Sequence, residues 1–70
     1  MGRSALEDQH LSPADLARRE NVSVETVYAW NRDGTGPRYM RIGKHARYRL
    51  ADVESWENGR YVAHSQVVAS

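Results

Sequence analysis

Hydroxyls, cations and one carboxylate at close spacing are the groups of this chain best suited to chemistry, and that chemistry is non-covalent recognition of an anion. Six bases (Arg32, Arg38, Arg41, Lys44, Arg47 and Arg49) lie between positions 32 and 49, against a single acid, Asp33. The stretch from Leu50 to Asn58 then carries three acids and no base. With a net charge of only +1, such segregation predicts one basic and one acidic surface. The competing arrangement is a solvated basic segment whose arginines pair with those acids. Just upstream, Ser23, Thr26 and Tyr28 supply hydroxyls, Glu25 a carboxylate acceptor, and Ala29 room for close approach. Catalysis is not expected. Attack by a tyrosine on a phosphodiester needs several Arg and His around one phosphate, and His10, His45 and His64 are scattered along the chain. Asp52 and Glu54 are two apart, so on a helix they point in different directions and do not form a paired metal site. The absence of cysteine excludes disulfides and thiolate zinc sites, and fits a reducing cytoplasm. No catalytic residue, metal, cofactor or small-molecule ligand is expected.

The elements that must position these groups are marked by caps and periodicity. Seventy residues make one domain, with a core of marginal size. No apolar run is long enough for a membrane span or a signal peptide. Residues 1–10 are polar and aperiodic, and read as a flexible arm. Ser12 as N-cap, Pro13 at the first helical position and Asp15 at capping-box spacing then open a helix that runs to about Glu20. Leu16 and Ala17 form its inward face. Asn21, tolerant of the left-handed conformation, ends it, and Val22 is expected to plug the angle between two helices. Ser23 caps a second helix over about Val24 to Arg32. Two short helices joined this tightly make a helix-turn-helix.

Asp33-Gly34-Thr35-Gly36-Pro37 breaks the second helix. Period-two alternation on both sides of Gly43-Lys44-His45 predicts a β-hairpin. Met40, Ile42, Ala46, Tyr48 and Leu50 are placed on its apolar face, Arg41, Arg47 and Arg49 on its polar face, and Lys44 and His45 at its tip. A third helix over Ala51 to about Asn58 presents Leu50, Val53 and Trp56 on one stripe, with Gly59 as its stop. Trp30 and Trp56 are assigned to the core. Residues 60–70 read as a flexible tail. The fold class is therefore α+β: a small winged helix-turn-helix over residues 11–59, with a two-stranded hairpin wing and a third helix.

That architecture assigns roles. At 100° per residue Val24, Val27 and Trp30 face inward and Glu25, Ala29 and Arg32 face out. In helix-turn-helix proteins the second helix enters the major groove of DNA, its N-terminal residues nearest the bases. Glu25 suits a cytosine amino group and Thr26 a base or a thymine methyl group. Tyr28, Arg32 and Ser23 suit phosphates, which position without specifying. In the wing, Arg41, Lys44, His45, Arg47 and Arg49 suit the backbone or the minor groove.

The stretch Leu11 to Ala17, then Val22-Ser23-Val24-Glu25-Thr26-Val27-Tyr28-Ala29-Trp30, Arg41-Ile42-Gly43, Arg47-Tyr48 and Asp52-Val53-Glu54-Ser55-Trp56 resembles the excisionase family. These are small MerR-like winged helix-turn-helix proteins of phages and integrative plasmids, and the resemblance covers about residues 11–57. It implies a cytoplasmic, non-catalytic protein that binds and bends double-stranded DNA at an attachment site and directs an integrase towards excision. The partners implied are that integrase and further copies of the chain bound cooperatively, with no membrane. A small transcriptional regulator of the same fold is the alternative. Many relatives carry a base where this chain has Glu25 or Ala29. Asn31 stands where an apolar residue is common, which predicts a less buried side of the second helix. No effector domain is expected.

Overall fold

The computed structural model describes residues 10–63. Helix α1 (Pro13–Glu20), helix α2 (Val24–Asp33), strands β1 (Met40–Ile42) and β2 (His45–Arg47) and helix α3 (Leu50–Asn58) follow in that order. This is a small α+β winged helix-turn-helix. Of the predicted arm and tail, residues 1–9 and 64–70 lie outside the described residues; His10 and the segment 60–63 are exposed.

The two helices of the motif start and stop for local reasons. The Ser12 hydroxyl accepts from the Asp15 amide at 3.1 Å, and the Asp15 carboxylate accepts from the Ser12 amide at 2.9 Å. These bonds complete the capping box and, led by the Ser12 amide, hold the Asp15 carboxyl below its ordinary pKa. Asn21 takes the left-handed conformation (φ 60°), and its amide donates to the Ala17 and Arg18 carbonyls. The Val22 amide donates to Ala17 at 3.0 Å, which uses up carbonyls that the helix end would otherwise leave unpaired. Val22 therefore closes the turn through its backbone. Its side chain does not plug the inter-helix angle as expected but stands 36% exposed. The Ser23 hydroxyl accepts from the Thr26 amide at 3.2 Å and starts α2. This helix runs one residue past expectation, to Asp33, and Gly34 ends it with φ 73°.

Leu16, Ala17, Val27, Tyr48 and Val53 are buried together, with Leu11, Val24, Trp30 and Tyr39 packed on them. Trp30 thus meets the core as expected. Trp56 instead lies half-buried against Trp30, ring centroids 4.9 Å apart, and its indole donates to the Thr35 carbonyl at 2.9 Å. Tyr48 is the largest fully buried side chain. Its backbone N–H and C=O both pair with Leu11, at 2.9 and 2.8 Å, so Leu11, just before the cap of α1, also ties that helix to the root of the wing.

The wing differs from expectation in register. Met40 pairs with Arg47, Arg41 with Ala46 and Ile42 with His45. The loop is two residues, Gly43-Lys44, with Gly43 at φ 66°, as a primed hairpin turn with glycine first requires. His45 is therefore a strand residue and not part of the tip. A two-residue loop also reverses the parity of pairing that a three-residue loop would impose, and a one-residue change sends every side chain of one strand to the other face. Met40 and Ile42 consequently share a face with His45 and Arg47, and Ile42 is 49% exposed. Arg41 shares the opposite face with Ala46, so Arg41 and Arg47 do not lie together on one polar face. Arg49 has left the strand and stands at the N-cap of α3 without a side-chain cap bond.

Candidate nucleic-acid interface

An open cleft of about 530 Å³ lies between α2 and the wing. Tyr28, Asn31 and Arg32 line it from α2, Arg41, Lys44, His45, Ala46 and Arg47 from the wing, and Ser12, Pro13 and Ala14 from the start of α1. The helical repeat explains the first set: positions 28, 31 and 32 are three and four apart and share one side of α2. Tyr28 is 53% exposed, as befits a residue on the helix surface rather than in the core. Two-residue looping of the hairpin accounts for Arg41 and Ala46, which it turns to the side on which buried Tyr48 lies; His45 and Arg47, on the opposite strand face, also line the cleft.

The cleft is electropositive. Among the described residues, Arg38, Arg41, Lys44, Arg47 and Arg49 make no ion pair, and the Arg47 guanidinium donates to the neighbouring Ala46 carbonyl at 2.7 Å. Arg32 bonds Asp33 at 3.2 Å, between two exposed groups; a pair of that kind contributes little and yields readily to a stronger anion. The arginines of the wing thus do not pair with the acids of α3. Glu57 of α3 is held instead by Arg19 of α1, through two bonds of 2.6 and 2.7 Å. Of the acids of α3, Glu57 is thus engaged by α1 and not by the wing, and it is not among the residues that line the cleft.

The remaining residues singled out in the sequence sit at the start of α2. Glu25 is exposed, Thr26 and Ala29 are half-buried, and Ser23 and Thr26 bond one another through their hydroxyls at 3.0 Å. Both hydroxyls are therefore partly engaged in the free protein. Ser23, Glu25 and Thr26 are not among the residues lining the cleft, and neither is Arg49.

Asn31 was not among the expected contacts. It lines the cleft and also accepts a 2.9 Å hydrogen bond from the Tyr48 hydroxyl. Burial, the larger influence, keeps that phenol above its ordinary pKa, so it stays a donor. A buried tyrosine needs an acceptor for its O–H. That requirement is the sequence signal for Asn31: a polar residue where an apolar one is common, one helical turn beyond Val27, with a tyrosine among the apolar residues of the following hairpin.

Among the described residues, no three His, Asp or Glu side chains converge as a metal site, and no helix is long and apolar enough to cross a membrane. A family model described as a helix-turn-helix domain matches residues 11–61, well over half of the chain. No curated protein and no solved structure matches it.

Proposed function

The chain belongs to the helix-turn-helix domain family, which implies DNA binding, and from that premise we propose that it is an excisionase-type, sequence-specific binder of double-stranded DNA. In this reading α2 lies in the major groove. Glu25 and Thr26 meet base edges, while Ser23, Tyr28 and Arg32 meet phosphates and Ala29 lets the helix approach. The wing meets the adjoining backbone or minor groove through Arg41, Lys44, His45, Arg47 and Arg49. The binding module spans residues 11–59, works in the cytoplasm and catalyses nothing itself. Its partners are an integrase and further copies of the chain, and the bend it imposes on attachment-site DNA favours excision.

The observation that carries this reading is the cleft between α2 and the wing, with cations from both elements and no acid among the residues that line it. A surface of that shape and sign suits one strand of DNA backbone. A module of this size covers only about 600–1,000 Å² of protein surface on DNA. Single-site affinity is accordingly modest, and adjacent copies supply the rest.

The test is selection of fragmented DNA from the protein's own source, with sequencing of what is retained. Tandem repeats beside an integrase attachment site are expected. Enrichment at a promoter would replace this role with transcriptional regulation. Retention of no sequence above background would reject DNA recognition altogether.

A further inference from the structure

Tyr48 is completely buried, and the bond it makes to Asn31 constrains how the Asn31 carboxamide can stand. The amide has one oxygen and one NH₂ group. Its oxygen is the acceptor for the Tyr48 hydroxyl at 2.9 Å. Turning the amide over would set its NH₂ against a phenol whose own proton then has no acceptor, a cost of about 1–3 kcal/mol for a buried donor. Asn31 also lines the cleft between α2 and the wing, and among the described residues its NH₂ has no protein acceptor. The oxygen is committed to the core side, and two N–H donors remain for the cleft, beside Tyr28, Arg32 and Arg41.

We propose that Asn31 is a phosphate-binding residue whose amide is locked in its donating orientation by the buried Tyr48 hydroxyl. The inference rests on the DNA-binding reading and deepens it. Asn31 binds a backbone oxygen of the strand lying in the cleft, next to the cations. Its contribution differs from theirs in kind. A neutral amide releases no counterion, so losing it lowers affinity without changing the salt slope, whereas losing a lysine or arginine contact changes both.

The test is a double-mutant cycle of Asn31→Ala and Tyr48→Phe on a selected DNA site, run over a range of salt at a temperature where melting curves show every variant folded. Phosphate-ethylation interference is recorded alongside. Asn31→Ala is expected to bind about tenfold more weakly, as for a hydrogen bond to a charged group, with an unchanged salt slope. It should also lose interference at one phosphate. Tyr48→Phe frees the amide to turn and should weaken binding although Tyr48 itself never reaches DNA. The double variant should bind as Asn31→Ala does. Undiminished affinity in Asn31→Ala, or an unchanged interference pattern, overturns the contact. A Tyr48→Phe loss that simply adds to that of Asn31→Ala overturns the lock. Absence of any interference with the unsubstituted protein would instead reject the DNA-binding reading on which both rest.

Discussion

Glu25 is the residue whose chemistry runs against its surroundings. It stands exposed in the first turn of α2, where the positive end of the helix favours a carboxylate in the free protein. Against the phosphates of DNA the same charge is repelled, unless it accepts a hydrogen bond from a cytosine amino group in the major groove. Glu25→Ala is therefore expected to relax preference at one base pair, by about 1–3 kcal/mol of discrimination, while leaving non-specific affinity unchanged or slightly higher. Competition among site variants measures this, and an equal change on every sequence would show that Glu25 reads no base. Lys44 and Arg47 make the opposite case. Each is a cation lining the cleft and makes no ion pair among the described residues. If about 4–6 phosphates are neutralised in all, log K falls with log salt at a slope of about −4 to −5. Lys44→Ala and Arg47→Ala should each weaken binding to all sequences and flatten that slope by about one. Titrations over salt measure it, and a slope that either substitution leaves untouched removes that residue from the phosphate contacts.

At the scale of elements, the parts defined by local bonding were legible in the sequence, and the parts defined by pairing were not. Ser12, Pro13 and Asp15 announce the start of α1, Asn21 its end and Ser23 the start of α2, because each acts on amides or carbonyls a few positions away. The faces of the wing are not legible in the sequence because they depend on whether Gly43-Lys44 or Gly43-Lys44-His45 forms the loop, and alternation looks the same either way. Leu11 pairing with Tyr48, and Asn31 accepting from it, join positions far apart in the chain, and periodicity says nothing about those. Gly36 belongs with them. A Cβ added there would come within 2.8 Å of the Trp30 Cβ, where the chain doubles back over α2 on its way to the wing. That contact is between backbone-proximal atoms and does not relax by rotating a side chain. Gly36→Ala is thus expected to cost about 1–3 kcal/mol through overpacking. In a chain of this size each kcal/mol corresponds to about 4–8 °C in melting temperature, so thermal unfolding reads it directly. An unchanged melting temperature would mean that this crossing is looser than the contact requires.

For the whole molecule, the segregation of charge that builds a basic cleft also leaves an acidic cluster where the ends of α1 and α3 meet. Arg19 holds Glu57 with two bonds and lies 3.6 Å from a Glu20 oxygen that is buried without a hydrogen-bond partner. As a carboxylate that oxygen has, among the described residues, only the 3.6 Å ion pair to Arg19 and no hydrogen bond; as a carboxylic acid Glu20 donates to Glu57. Burial, then the neighbouring Glu57, raises the Glu20 pKa from 4.5 to about 7, while the bond from Arg19 lowers that of Glu57 from 4.5 to about 2. A carboxyl whose folded pKa is raised stabilises the fold below its unfolded value and loses that contribution as pH climbs through the folded one. The Glu20 contribution is accordingly full near pH 4.5 and gone above about 7. For Glu57 the sign is reversed: its contribution is full above 4.5 and lost as pH falls towards about 2. Stability from this cluster peaks between the two, on the acidic side of neutral. Replacing Glu20 by glutamine keeps a donor for Glu57 without a charge to deprotonate. Denaturant unfolding from about pH 5 to about pH 8 should show the unsubstituted protein losing on the order of 2 kcal/mol that Glu20→Gln retains. Below about pH 4 the two curves should fall together as Glu57 takes up its proton. A parallel decline of both proteins across neutral pH would assign the titration to another group and leave the buried Glu20 oxygen as a cost the fold simply carries.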